Sequence, residues 1–144
     1  TYSLKDNRIK ASICYSMSPT YNHGEDHHKI YSSISVPMMF MTGTEDESPI
    51  TGESYHYRLP IYEHSQGPHQ HLLILEGADH MVFAGSRGKL PDNDQRESLE
   101  SLIRDLSLLF WQAYLKNDDS ALAFITSTNM QDALEKKAIH KFKL

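Results

Sequence analysis

Two runs along the chain are apolar almost without interruption, and each gives way to an ionisable residue beside a glycine. "VPMMFMT", residues 36–42, leads into "GTEDESP", and "HLLILE", residues 71–76, leads into "GADHMVFAG". Runs of this kind, with no polar alternation, suit strands covered on both faces, as in a parallel sheet packed between helices. The pattern predicts one strand over 36–42, ended by Gly43, and another over 71–76. A shorter stretch, "IKASICYS" at 9–16, suits a strand that enters a loop at Ser18-Pro19. Residues 20–33 are polar and histidine-rich and fit a loop with one helical turn. Residues 52–64 fit a short helix broken or started around Pro60.

The second half of the chain has another period. Asp94 with Glu97 three residues later matches a capping box. From there to Lys116, Leu99, Leu102, Ile103, Leu106, Leu109, Phe110, Ala113 and Tyr114 recur at spacings of three and four, which predicts a helix roughly 30 Å long. Asn117 and Asp118 break it, and "SALAFI" suits a further turn or two. Residues 127–144 lack a clear period and read as a C-terminal tail. Its basic end, "EKKAIHKFKL", reads as solvated. Strands that alternate with longer, partly helical segments imply crossover connections, a parallel sheet and the α/β class.

Composition changes this picture little. A chain of 144 residues suits one domain, and 39% hydrophobic with 23% charged residues is ordinary for a water-soluble fold. A net charge of -5 with no basic patch argues against nucleic acid as a partner. No run approaches the length of a membrane-crossing helix. The leucine and aromatic stripe over 99–114 reads as core packing, since a lipid-binding face would want more lysine and arginine opposite it. Cys14 is the single cysteine, so an internal disulfide is excluded and the redox compartment stays open. The chain opens on "TYSLKDNRIKASI", close to a strand and without methionine. It reads as the interior of a longer protein, so the absence of a leader sequence carries no weight.

Candidate chemistry lies where the two apolar runs stop. In open α/β sheets, functional residues sit just past the carboxyl ends of strands. Asp46 and His80 both hold such positions, so two loops can meet at one edge of the sheet. A neutral imidazole can take and return a proton near neutral pH when a carboxylate holds its other ring nitrogen. The carboxylate fixes the tautomer and stabilises the imidazolium as it forms, and the base then activates a hydroxyl or thiol. Either residue alone is commonplace, as a turn former or a satisfied histidine. The pair after two consecutive strands is the stronger signal.

At these residues the chain resembles a known family. "VPMMFMTGTEDESPI" and "LLILEGADHMVFAG" resemble the last strands of α/β-hydrolase-fold enzymes. The likeness is to the bacterial predicted dienelactone hydrolases, a group similar to platelet-activating-factor acetylhydrolases and chlorophyllase-like esterases. The family's acid lies in a "GTxDxSP" loop, which implies Asp46 as the acid, and its histidine in a "GADHMxFxG" loop, which implies His80 as the base. "IKASICYSMSP" looks like the strand before these, and "DLSLLFWQAYLKNDDSALAFI" like the closing helix. The resemblance implies the C-terminal part of an α/β-hydrolase fold: about three parallel strands with covering helices, a long C-terminal helix and an incomplete sheet. It implies a serine hydrolase of acyl esters with a small-molecule ester substrate and no cofactor or metal. It also leans towards an exported or periplasmic protein. The family's nucleophile sits in a G-x-S-x-G elbow, followed in chain order by acid and histidine. No serine here is bracketed by glycines at that spacing. The nucleophile and the oxyanion-hole donors are therefore expected from an N-terminal half of the same fold. The isolated chain is expected to lack esterase activity and to associate. The alternative is a non-catalytic fragment or a binding homologue without a nucleophile.

Other candidates carry less. Cys14 sits within a strand and reads as a small core residue. Ser16 and Ser18 lie near a strand end without a glycine elbow and are discounted as nucleophiles. His27-His28 and His69-x-His71, with His23 and Glu25, invite a metal, but zinc sites want three or four ligands on rigid elements. "SRGKLPDNDQ" lacks the spacing of a phosphate loop.

Overall fold

The computed structural model describes residues 6–19, 26–85 and 93–144. Its centre is one four-stranded sheet in the order β1-β2-β3-β4. Strands β1 (Ser12–Tyr15), β2 (Met38–Glu45) and β3 (Gln70–Asp79) run parallel, and β4 (Ala138–Lys143) pairs antiparallel with β3. The helices are α1 (His27–Tyr31), α2 (Leu59–His64), α3 (Arg96–Leu115), α4 (Asp119–Ile125) and α5 (Thr128–Leu134). The architecture is mixed α/β, as the strand and helix patterns predict. The three parallel strands are present, and a fourth, antiparallel one joins them.

The unbroken apolar runs are explained by what covers each face. Met39, Met41, Leu73 and Leu75 pack on one side with Leu106, Phe110, Ala113, Ile125 and Met130 of α3 to α5. Met38, Phe40, Leu72 and Ile74 pack on the other with Tyr31, Ile61 and Tyr62 of α1 and α2. Successive strand residues point to opposite faces, so both faces need apolar side chains. The chain steps from β1 to β2 to β3 in one direction. Right-handed crossovers then put both connecting helices on one face, where α1 and α2 lie. The long connection from β3 to β4 covers the other.

Several boundaries differ from the sequence reading. β2 does not stop at Gly43 but continues to Glu45. Gly43 serves close approach: a Cβ there would run into the carbonyl of Ala78 on β3. β3 continues to Asp79, and its register against β2 shifts between Gly43 and Glu45, where Leu75 and Asp79 are their respective partners. Two extra residues on β3 form an irregularity that redirects the strand end, as bulges do. Asp94 does not cap α3. The helix begins at Arg96, and Asn93 supplies the turn, its Oδ1 accepting from the Gln95 amide and its carbonyl from the Arg96 amide.

Residues 127–144 are no solvated tail. They form α5 and β4. The sequence hides this because β4 inverts the usual alternation: Ile139 is exposed while Ala138 and His140 are buried. Lys143 ties the end down. Its ammonium donates to the carbonyls of Tyr62, Glu63 and Ser65 at 2.7, 3.0 and 2.9 Å and lies 4.6 Å above the Tyr62 ring. A cation on these last carbonyls caps α2 and binds it to the sheet edge.

Candidate active site

The structure brings Asp46 and His80 together at the carboxyl edge of the sheet. Asp46 follows β2 in a tight turn, its amide donating to the Gly43 carbonyl at 3.0 Å, and is 0% exposed. His80 opens a 3-10 turn, His80–Ala84, directly after β3. Asp79 caps that turn, accepting from the amides of Met81 and Val82 at 2.7 and 3.0 Å. Its other oxygen accepts from Asn93 at 2.9 Å and faces Arg96 at 3.3 Å. The loop that carries His80 is thus moored to the start of α3. The imidazole Nδ1 lies 2.9 Å from Asp46 Oδ1, and the His80 side chain is 33% exposed.

Three further side chains hold the carboxylate. Thr42, on β2, donates from its hydroxyl to Oδ2 at 2.8 Å. Ser16 donates from its hydroxyl to Oδ1 at 2.9 Å. Arg58 reaches in from a 3-10 turn, Tyr55–Arg58, just ahead of α2. Its Nη2 donates to Oδ1 at 3.0 Å, and its Nε lies 3.0 Å from Oδ2, an ion-pair distance without hydrogen-bond alignment. Nη1 donates to the Ser16 carbonyl and to Ser18 Oγ, both at 3.0 Å. The guanidinium is almost wholly buried, at 4% exposure, beside a carboxylate at 0%. A buried carboxylate needs both a counter-charge and filled lone pairs, and Asp46 has both.

For the neutral imidazole, proton counting assigns which ring nitrogen of His80 carries the proton. Its Nδ1 lies 2.8 Å from Ser16 Oγ and 3.4 Å from Arg58 Nη2, besides 2.9 Å from the carboxylate. Ser16 has one hydroxyl proton, and the carboxylate takes it. The ring must therefore be the donor to Ser16. A bare Nδ1 would also set its lone pair against that of Oδ1. The consistent assignment puts the proton on Nδ1, shared between Asp46 Oδ1 and Ser16 Oγ. Arg58 Nη2 and the Nδ1–H group then face each other without a bond. Nε2 is left with its lone pair on the opposite side of the ring, where no described residue bonds it.

Ser16 is drawn into the site, but on the side of the acid. It follows β1 with φ of 48°, in the left-handed region that non-glycine residues rarely enter. That turn aims both its carbonyl and its hydroxyl at Arg58 and Asp46. A triad nucleophile stands at Nε2; Ser16 stands at Nδ1 and is buried. Ser18 accepts from Arg58 and likewise braces the site. Cys14 is half-buried, partly packed against the apolar cluster of Phe40 and Leu72, and burial pushes its thiol up, away from the reactive thiolate.

The remaining histidines lie elsewhere. His27 and His28 meet His64 edge to edge on the surface formed by α1 and α2, and His28 Nε2 lies 2.8 Å from Gln66 Nε2. His71 is in the core, its Nε2 2.6 Å from the Tyr114 hydroxyl and its Nδ1 3.1 Å from His140 Nε2. Among the described residues, no group of three or more histidine, cysteine or acidic side chains could hold a metal ion. Likewise, no helix among them is long and apolar enough to cross a membrane. His23, Glu25 and most of "SRGKLPDNDQ" lie outside the described residues. Compared with known proteins, the chain matches no family model and no curated protein.

Proposed function

We propose that this chain carries the acid–base pair of an ester hydrolase of the α/β-hydrolase type. His80 Nε2 takes the proton of a hydroxyl nucleophile that lies outside the described residues, as that oxygen attacks the acyl carbon. Asp46 holds Nδ1–H and stabilises the imidazolium that forms. The imidazolium then returns the proton to the departing alkoxide, leaving an acyl-enzyme. In the second half-reaction His80 deprotonates water, which releases the acid and frees the nucleophile. The observation that carries this reading is the orientation of the imidazole. A fully buried, charge-balanced carboxylate grips Nδ1, and the bare Nε2 lies on the far side of a partly exposed ring.

The test uses the complete natural gene product and short-chain p-nitrophenyl esters. Asp46→Asn and His80→Ala are each expected to lower kcat by about 10³–10⁴-fold, the range seen when triad partners are removed. A fluorophosphonate probe is expected to label a serine other than Ser16. Hydrolysis that survives His80→Ala, or a label on Ser16, would overturn the assignment. A gene product with no hydrolytic activity would favour a homologue that keeps the geometry without a nucleophile.

A further inference from the structure

Arg58 has no part in the proton transfers above, yet it makes the most contacts with the pair. It is a planar fork whose three nitrogens meet four oxygens at once: Nη2 and Nε on the two oxygens of Asp46, Nη1 on the Ser16 carbonyl and Ser18 Oγ. Such a spread lets it fix the roll of the carboxylate about its own axis, not only its charge. With Thr42 pinning Oδ2 from the other side, the one oxygen left to face the imidazole is Oδ1. Oδ1 is an acceptor and Arg58 Nη2, 3.4 Å from Nδ1, is a donor only. Of the two ring protonation patterns, a carboxylate held this way selects Nδ1–H, which leaves Nε2 as the base.

We infer that Arg58 is a positioning residue that sets the tautomer of His80 by locking Asp46. This rests on the hydrolase reading for its purpose but not for its test. Without Arg58, the buried carboxylate loses its counter-charge and two of its contacts. It then turns, or takes up a proton and presents O–H where an acceptor was needed. Either change removes the partner of Nδ1–H and releases His80 to the Nε2–H form, in which Nε2 cannot act as a base. Lysine keeps the charge but not the fork.

The measurement is long-range proton–nitrogen NMR of the ¹⁵N-labelled chain followed through a pH series, in which each ring nitrogen shows whether it bears the proton. Wild-type His80 is expected to show a protonated Nδ1 and a bare Nε2. Arg58→Met is expected to move the proton mostly to Nε2, and Arg58→Lys to give a mixture. The signals of His71, buried in the core against His140 and Tyr114, report whether each variant is folded. A folded Arg58→Met protein that keeps Nδ1–H sinks the inference, as does wild-type protein with Nε2–H. Where Arg58→Met does not fold, Arg58→Lys decides: an unchanged tautomer there is equally fatal. Absent ester hydrolysis beside an intact Nδ1–H pattern that Arg58 controls would remove the hydrolase reading and leave this one standing.

Discussion

At the scale of single residues, the site is a buried ion pair with a histidine at its rim, and its energetics differ from those of a surface pair. Asp46 and Arg58 are both removed from water. Removing one partner of such a pair strands the other charge and costs about 3–5 kcal/mol, whereas removing both together can be far cheaper. Arg58→Met is accordingly expected to lower stability by about 3–5 kcal/mol, and adding Asp46→Asn to it should recover a large part of the loss. Urea unfolding of the two single variants and the double variant measures the coupling. Simple additivity would mean that the two side chains do not share a desolvated contact. This also explains what the sequence conveyed about the site. Asp46 and His80 are legible because each ends an apolar run, which fixes its place at the sheet edge. Arg58 sits in "SYHYRLPIYEH", where a lone arginine before a short helix looks solvated. Its burial follows from a turn that brings it back over the ends of β1 and β2, and no local spacing encodes that. Ser16 was visible as a strand-end serine, but its left-handed backbone and its place beside the acid are tertiary facts.

At the scale of elements, β4 is held by a polar stack where an apolar one would be expected. The rings of His71 and His140 lie 5.4 Å apart and nearly parallel, Phe142 stacks on both, and Tyr114, Phe110 and His69 close the group from α3 and the start of β3. Burial drives both imidazoles towards the neutral form: His71 down to about 3, aided by charge repulsion from His140 and His69, and His140 down to about 4. In the unfolded chain both would titrate near 6.5. Between those values the unfolded chain holds protons that the folded chain does not. Stability is therefore complete above about pH 6.5 and falls as pH drops, by about 1.4 kcal/mol per unit for each histidine, until the folded forms titrate. Urea midpoints measured from pH 7 to pH 4 should drop steeply, and His71→Leu/Tyr114→Phe should remove about half of the slope. A flat profile would show that the stack is not buried and neutral. This stack is also why β4 escaped the sequence reading. Two of the three parallel strands announced themselves by apolar runs, whereas "AIHKFK" carries its inward side as Ala138 and His140 and its outward side as Ile139. Hydrophobicity alone cannot find a strand whose buried imidazole is satisfied by a partner 69 residues away.

At the scale of the whole molecule, the two sheet edges are unequal. The β4 edge ends in Lys143, tied to α2. The β1 edge is open among the described residues. Ser12 and Ser16 donate their amides to Pro37 and Met41 on the β2 side, so by the two-residue period Ile13 and Tyr15 turn their backbone groups outwards. Beside that edge lies an apolar groove formed by Tyr15, Val82, Phe83, Ile103, Leu108 and Trp111, with Tyr15 and Leu108 exposed. A parallel edge strand flanked by an apolar face is a template for pairing, and isolated chains manage such edges with charge or cover. Among the described residues that line the groove, the charged groups, Glu100 and Arg104, sit on α3 rather than on the strand. The chain on its own is therefore expected to associate in a concentration-dependent way, and Tyr15→Lys/Leu108→Lys to weaken that association at least tenfold. Sedimentation equilibrium distinguishes the outcomes. Wild-type protein that stays monomeric at every concentration would mean that the edge is protected by residues outside those described. Association unchanged by the two lysines would place the contact on another face. The same edge bears on function. Ser16, at the end of β1, holds the acid, so under the hydrolase reading proposed above the open edge beside β1 is where the rest of the fold would be added.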